Sequence, residues 1–382
     1  VVLPRLQSEF GVTRADASLP YTLTMIGFGV GGIMMGRLSD RFGVMIPVMI
    51  GAVGIGLGYI GAGNASSLLL FSLAQGILMG LLGTSATFAP LVADTSRWFT
   101  RRRGIALAIC MSGNYVAGAI WPPIIQHFID GYGWRPTYIG FGVFCLATML
   151  PLALLLRPRP PDIDVATAPG GVASTVQSSD PARPLGLSPL ALQLLLCVAG
   201  VSCCVAMSMP QVHIVAYCGD LGFGAARGAE MLSLMLAMGI VSRLVSGWIS
   251  DHIGGLRTLL LGSVLQGIAL LLFLPFDGLV PLYVVSAMFG LFQGGIVPSY
   301  ALIVREYFTP KEAGARVGTV LMATLLGMAL GGWLSGVIFD FTGSYKAAFV
   351  NGIAFNLLNV SIVLFLLYRV RIATRARRVP PA

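Results

Sequence analysis

The chain has 382 residues, 56% of them hydrophobic and 10% charged, with a formal charge of +9 at pH 7. Apolar runs recurring along almost the whole length exclude a water-soluble globular domain and imply an all-α protein that crosses a membrane repeatedly. The basic balance does not imply a nucleic-acid partner, because Lys and Arg cluster in loops on one side of the apolar runs, which is a topology signal.

Residues 1–17 are too charged to span and carry no signal-peptide pattern. Apolar spans are expected at about 19–36, 45–63, 68–93, 104–125 and 136–156, each near the ~20 residues a bilayer requires. Residues 1–156 thus read as an N-terminal helix bundle. A segment rich in Pro, Ala, Ser and Asp at 157–188 has linker composition and no packable face. Six further spans follow at about 189–213, 229–250, 257–276, 280–304, 316–338 and 347–368. They define a C-terminal bundle over 189–370, followed by a basic tail over 371–382.

An internal repeat accounts for the odd total of eleven spans. Glu9-Phe10-Gly11 matches Asp220-Leu221-Gly222, Gly36 matches Gly247, and Asp40 matches Asp251, all at an offset of 211. Phe99 matches Phe308 at 209, and Asp130 and Gly133 match Asp340 and Gly343 at 210. On this register the counterpart of the span at 189–209 falls before Val1. The expectation is a six-plus-six protein whose first transmembrane helix is missing from this chain.

Orientation follows from the basic residues. Eighteen Lys and Arg fall on the side of the linker and the C-terminus, and five on the other. The linker and tail are therefore expected in the cytoplasm of a multi-pass protein of the inner (plasma) membrane.

Arg243 lies within an otherwise apolar span, where an arginine costs roughly 2.5–3.5 kcal/mol on insertion scales. Its repeat partner is Gly32, so the scaffold does not require a cation there. A guanidinium can grip a carboxylate bidentately in a poorly hydrated cavity. The alternative is a structural arginine bonded to helix ends. All fifteen acidic residues read as loop or helix-end positions, so the expected counter-charge is a substrate carboxylate. His213, which follows Pro210, is the candidate for proton coupling, with an ordinary pKa of about 6.5. Asn114, Tyr115, Gln293, Tyr300 and Asn356 are further candidate cavity residues, although polar groups in spans often only join helices.

Some features carry no chemistry. The six cysteines lie mostly inside spans, with no C-x-x-C pair and no histidine at ligand spacing, so no metal or cofactor is expected. Gly27-Phe28-Gly29-Val30-Gly31-Gly32 and Gly56-Leu57-Gly58-Tyr59-Ile60-Gly61 fit G-x-G-x-x-G but follow no strand, and read as helix-packing seams. Pro122-Pro123 and Pro298 open the helical hydrogen-bond ladder and read as flexing points.

Gly36-Arg37-Leu38-Ser39-Asp40-Arg41-Phe42-Gly43, with a second copy at Gly247-Trp248-Ile249-Ser250-Asp251-His252-Ile253-Gly254, resembles the loop signature of the major facilitator superfamily. The resemblance spans the chain and implies that family's fold of two six-helix halves. It also implies a conformational latch at Gly36, Asp40, Arg41, Gly43, Gly247 and Asp251, with His252 standing where the first copy has Arg41.

Four features look most like the monocarboxylate transporter and oxalate/formate antiporter branch. They are Arg97-Trp98-Phe99 followed by Arg101-Arg102-Arg103-Gly104, the stretch Pro210-Gln211-Val212-His213, Arg243, and Gly294-Gly295-Ile296-Val297-Pro298-Ser299-Tyr300. In that branch the equivalent arginine binds the substrate carboxylate. Gly239 departs from the aspartate that animal carriers have four residues before it, and the span at 316–338 lacks the lysine of the oxalate exchanger.

The implied function is alternating-access transport of a small organic anion, a monocarboxylate of the lactate, pyruvate or formate kind, by proton symport or anion exchange. A monomer is expected, with no nucleic-acid partner. The alternatives are a drug/proton antiporter, whose R-x-x-Q-G motif is broken here by Ser72 before Gln75-Gly76, and a non-transporting membrane sensor. An enzyme is not expected, since no nucleophile with its base and no His/carboxylate cluster stands at membrane depth.

Overall fold

A computed structural model describes residues 2–98, 103–158 and 184–376, without the side chains of some helical residues, Asp40 and Arg97 among them. Most of the expected linker and the end of the tail lie outside these residues. A short amphipathic helix α1 (Leu3–Phe10) precedes α2 (Arg14–Phe42) and α3 (Met45–Gly63). The next span is composite: α4 (Leu68–Leu73), a π-helical stretch at Ala74–Thr84, and α5 (Ser85–Trp98). Then come α6 (Arg103–Tyr132), α7 (Trp134–Leu154), α8 (Pro189–Asp220), α9 (Ala225–Ile253), α10 (Gly255–Leu272), the pair α11 (Leu279–Gln293) and α12 (Ile296–Tyr307), α13 (Pro310–Thr342) and α14 (Tyr345–Ala376).

Ten helices among the described residues are long and apolar enough to cross a membrane. The span expected at 104–125 lies on α6, where several side chains of the first two turns are not described. Every expected span therefore falls largely on helix, the one at 68–93 on a composite of three segments and the one at 280–304 on the pair α11 and α12.

The repeat is written into the backbone. Gly11 and Gly222, Gly43 and Gly254, and Gly133 and Gly343 all have positive φ. Gly43 and Gly254 end their helices alike, each donating its N–H to the serine four residues back, Ser39 and Ser250, at 2.9 Å. A side chain at such φ is strained, so a glycine ends the helix in each copy. Arg41 and Asp251, the expected latch residues beside these turns, are both exposed, and Arg41 lies 5.2 Å from the Phe42 ring centroid. The Asp40 side chain lies outside the described residues.

The G-x-G-x-x-G runs are packing seams. A Cβ at Gly27 or Gly31 would collide with the backbone of the π-helical stretch, and one at Gly56 or Gly58 with Leu146 or Met79. Small residues let helices approach where apolar burial supplies no drive between them. Within the π-helical stretch, Thr84 Oγ1 donates to both Met79 O (3.0 Å) and Gly80 O (3.2 Å).

The chain divides into two compact units. One comprises residues 1–171, 210–233 and 332–345, the other residues 172–209, 234–331 and 346–382. The boundary within α8 falls at Pro210, where the missing N–H interrupts the helical ladder. The first unit packs Leu6, Phe71, Trp134 and Tyr138 into an aromatic core, with Trp134 and Tyr138 edge to face at 5.8 Å. The second is cored by residues such as Leu196, Cys203, Leu259, Ile303 and Val363. Large apolar side chains such as Ile33, Leu69, Val143 and Val284 are exposed, as on a lipid-facing surface.

Candidate functional site

Arg243 sits in the second half of α9, partly buried, with Nε donating to the carbonyl of Gly294 at 3.5 Å. Gly294 caps α11, and Gly294-Gly295 is the break that separates α11 from α12. Gly290, Gly294 and Gly295 are pressed against α9. A Cβ at each would strike Met235 O, Gly239 O and the Ser246 side chain, respectively. Absent side chains thus bring the interrupted span against α9, and the arginine reaches the carbonyl the interruption frees. The helix-end bond and a carboxylate grip use different edges of the guanidinium, which carries five N–H donors. Gln293, one residue before the break, is buried.

Tyr300 is fully buried and donates its hydroxyl to Asn359 Oδ1 at 2.9 Å. Asn359 Nδ2 donates to Ser263 Oγ at 2.7 Å, and Asn356 Nδ2 to Ser263 O at 3.1 Å and Gln266 Oε1 at 3.4 Å. Gln266 in turn donates to Cys203 O at 3.3 Å. Two candidates, Tyr300 and Asn356, are thereby joined in one neutral network that ties α8, α10, α12 and α14 together. Arg243 and Gln293 belong to the same unit at the α9–α11 seam. Asn114, exposed, and Tyr115, half-buried, lie on α6 in the other unit, as does His213.

His213 stands in a cluster that sequence reasoning missed. Its Nε2 lies 2.8 Å from Gly332 O and its Nδ1 3.1 Å from the Tyr345 hydroxyl. Arg14 Nη1 donates to the same hydroxyl at 2.6 Å, and Arg14 Nη2 pairs with Asp220 at 2.5 Å. The Asp340 carboxylate accepts from the backbone N–H groups of Arg14 (2.9 Å) and Ala15 (2.8 Å), capping the start of α2. Beside it, the Arg14 guanidinium lies 4.0 Å from the Phe339 ring centroid. The available signal was the repeat itself, which marked Asp220 and Asp340 as counterparts of Glu9 and Asp130.

Those counterparts are also paired. Glu9 accepts hydrogen bonds from Trp134 Nε1 and Arg135 Nε, and Asp130 pairs with Arg5 at 3.1 Å. Burial pushes the Glu9 carboxyl up, but these hydrogen bonds and the Arg135 charge outweigh it and hold it below the usual carboxylate range. The same unit holds a cavity of about 230 Å³, lined by Tyr21, Gln75, Tyr138 and Gln211 among others.

The family model described as Major Facilitator Superfamily matches residues 1–281 and 230–382. Monocarboxylate transporter 13 of Rattus norvegicus is 30% identical over 92% of this chain and 78% of that protein. Monocarboxylate transporter 11 of Homo sapiens is 28% identical over 92% of this chain and 74% of that protein. A solved structure of the nucleoside transporter NupG (D323A mutant) superposes with a TM-score of 0.69 at 13% identity, covering 96% of this chain and 94% of that one, a likeness of fold alone. With its family model matched from end to end and ten helices among the described residues long and apolar enough to cross a membrane, the chain belongs to the Major Facilitator Superfamily, as a multi-pass membrane protein.

Proposed function

We propose that this chain carries a small monocarboxylate anion, of the lactate, pyruvate or formate kind, by alternating access, as proton symport or anion exchange. The observation that carries the reading is Arg243, a cation part-way along an apolar helix, held at the break between α11 and α12. A guanidinium carries five N–H donors, enough in number to bond the Gly294 carbonyl and also grip a carboxylate bidentately. The names of the relatives at 30% and 28% identity point to the same substrate class. Gln293 borders the break, and Asn114, Tyr115, His213, Tyr300 and Asn356 complete the proposed set. In this reading Tyr300 and Asn356 shape the pocket through the network behind it, and His213 serves proton movement.

The two G-x-x-S-D turns are proposed to latch one conformation through Asp40, Arg41 and Asp251. The charge bias supports a plasma-membrane protein with linker and C-terminus in the cytoplasm. The halves at 1–156 and 189–370 would rock around the site, and a monomer suffices.

The test is uptake of labelled lactate, pyruvate, formate and oxalate into proteoliposomes, comparing the parent with Arg243→Gln. One acid should be taken up by the parent, and its uptake should fall at least about tenfold in the variant, the loss of one charge-assisted grip worth ~1.5–3 kcal/mol. Equal transport by the two proteins would falsify the assignment.

A further inference from the structure

The bonds around His213 fix the direction of every hydrogen in them. Gly332 O can only accept, so Nε2 carries the proton and, in the neutral ring, Nδ1 is an acceptor. Tyr345 must then donate its hydroxyl hydrogen to Nδ1 while accepting from Arg14 Nη1. A one-way relay runs from Arg14 through Tyr345 and His213 to the Gly332 carbonyl, and it exists only while the imidazole is neutral.

Other contacts make this relay part of a clasp. Arg14 opens α2, the Asp220 and Asp340 carboxylates hold its guanidinium and backbone, and Gly336 lets α13 come so close that a Cβ there would lie 2.8 Å from Arg14 O and Ala15 N. The ends of α2, α8, α13 and α14 are joined at this point; on α2 it is the end away from the G-x-x-S-D turn, and on α8 the end away from the linker. The Arg14 Nε is buried with no hydrogen-bond partner, so the clasp is not fully satisfied even when closed.

We propose that His213 is the proton site that releases this clasp: protonation at Nδ1 opens the end of the bundle held by Arg14, Asp220 and Asp340. The inference deepens the reading of the chain as a proton-linked carrier and rests on it.

A protonated Nδ1 becomes a donor facing a hydroxyl that already accepts from Arg14. The Tyr345 O–H then loses its acceptor, and a second cation stands one hydroxyl away from the first. The groups facing His213 are Arg14 from α2, Tyr217 and Asp220 from its own helix, Asp340 from α13 and Tyr345 from α14. The two carboxylates attract an imidazolium, but both are committed to Arg14 and the start of α2. In the closed clasp both ring nitrogens are already engaged, Nε2 with the Gly332 carbonyl and Nδ1 with the Tyr345 hydroxyl, so the closed form has no acceptor for a second ring proton. The closed clasp holds the ring neutral, and opening lets the ring take a proton from water, so acid favours the open form. The proton taken up at Nδ1 is given back when the clasp closes, and no other bond is made or broken.

The test places spin labels at Ser8→Cys and Phe341→Cys, both exposed sites, with Cys110 and Cys197 changed to serine. Label separation is read by pulsed electron resonance in proteoliposomes from pH 8 to pH 5, with no substrate present. In the parent the long-distance fraction should rise on acidification, by at most about tenfold in the open-to-closed ratio per pH unit, the limit for one linked proton. His213→Gln keeps a donor for Gly332 and an acceptor for Tyr345 but does not titrate, so its distribution should not change with pH. Tyr345→Phe, which removes the relay at its centre, should likewise flatten the response. A parent distribution that is unchanged or closes in acid, or a response that survives His213→Gln, overturns the proposal. Failure of every tested acid to be transported, with the pH response intact, would count against the substrate assignment alone.

Discussion

The internal repeat gives the chain matching acidic residues, and the two copies use them differently. In the first copy Glu9 binds Trp134 and Arg135 while Asp130 binds Arg5, all contacts within the first repeat. In the second, Asp220 and Asp340 both turn to Arg14, which belongs to the other repeat. The first pair is a local staple at the mouth of an aromatic core. The second ties one repeat to the other and, through Tyr345, touches a histidine. Duplicated positions thus become a permanent fastening in one place and a releasable one in the other, and the surrounding partners make the difference.

The largest effect should come from forcing the second fastening apart. Gly336→Val places atoms against the α2 backbone, which cannot step aside as a flexible side chain could. It should lower stability by about 1–3 kcal/mol on the scale of overpacking, seen as a lower unfolding midpoint in detergent, with the label pair open at every pH. Arg14→Gln comes next. Removing one partner of a fully buried pair costs about 3–5 kcal/mol, but Asp220 is 36% exposed, so about 1–2 kcal/mol is expected, together with an open clasp at neutral pH.

Removing a single oxygen separates the clasp from the neutral network. Tyr300→Phe should cost about 0.6–1.7 kcal/mol and leave the pH response intact, because its acceptor Asn359, and Ser263 beyond it, do not titrate. Tyr345→Phe should cost no more and abolish that response. If both behaved alike, the distinction between the two clusters would collapse.

The smallest effect belongs to the first copy. Glu9 is held below its ordinary value, so its contribution is present above the unfolded carboxyl pKa of about 4.3 and is lost as pH falls through the lower folded value. Glu9→Gln should therefore lower stability at pH 7 by under ~1 kcal/mol for so exposed a pair, and the difference should shrink as the medium is made acid enough to protonate the carboxyl in the folded protein.

Much of this architecture could be read before the coordinates. The spans, the glycine seams and the repeat all rest on local composition or fixed spacing, and positive-φ glycines recur where the repeat aligns them. Arg243 was legible because a lone cation in an apolar run violates a strong rule. Its bond to Gly294 was not, since that depends on three glycines bringing α11 and α12 against α9. The Arg14 clasp was hidden for a similar reason: Ala15 and Asp340 are 325 residues apart, and Arg14 read simply as a loop charge. Tyr300 and Asn356 looked like cavity residues one at a time; Asn359 and Ser263, which join them, attracted no notice because small polar residues in a span are common.

The π-helical stretch at Ala74–Thr84 gives the fourth helical segment a reserve of length. Pairing across five residues instead of four takes up more chain per turn, and the Thr84 hydroxyl, shared between Met79 O and Gly80 O, already touches both patterns. A one-residue deletion there can be absorbed by a return to ordinary α pairing, leaving α5 and everything after it in place. The same deletion in α3 would turn each following side chain by about 100° away from its seat.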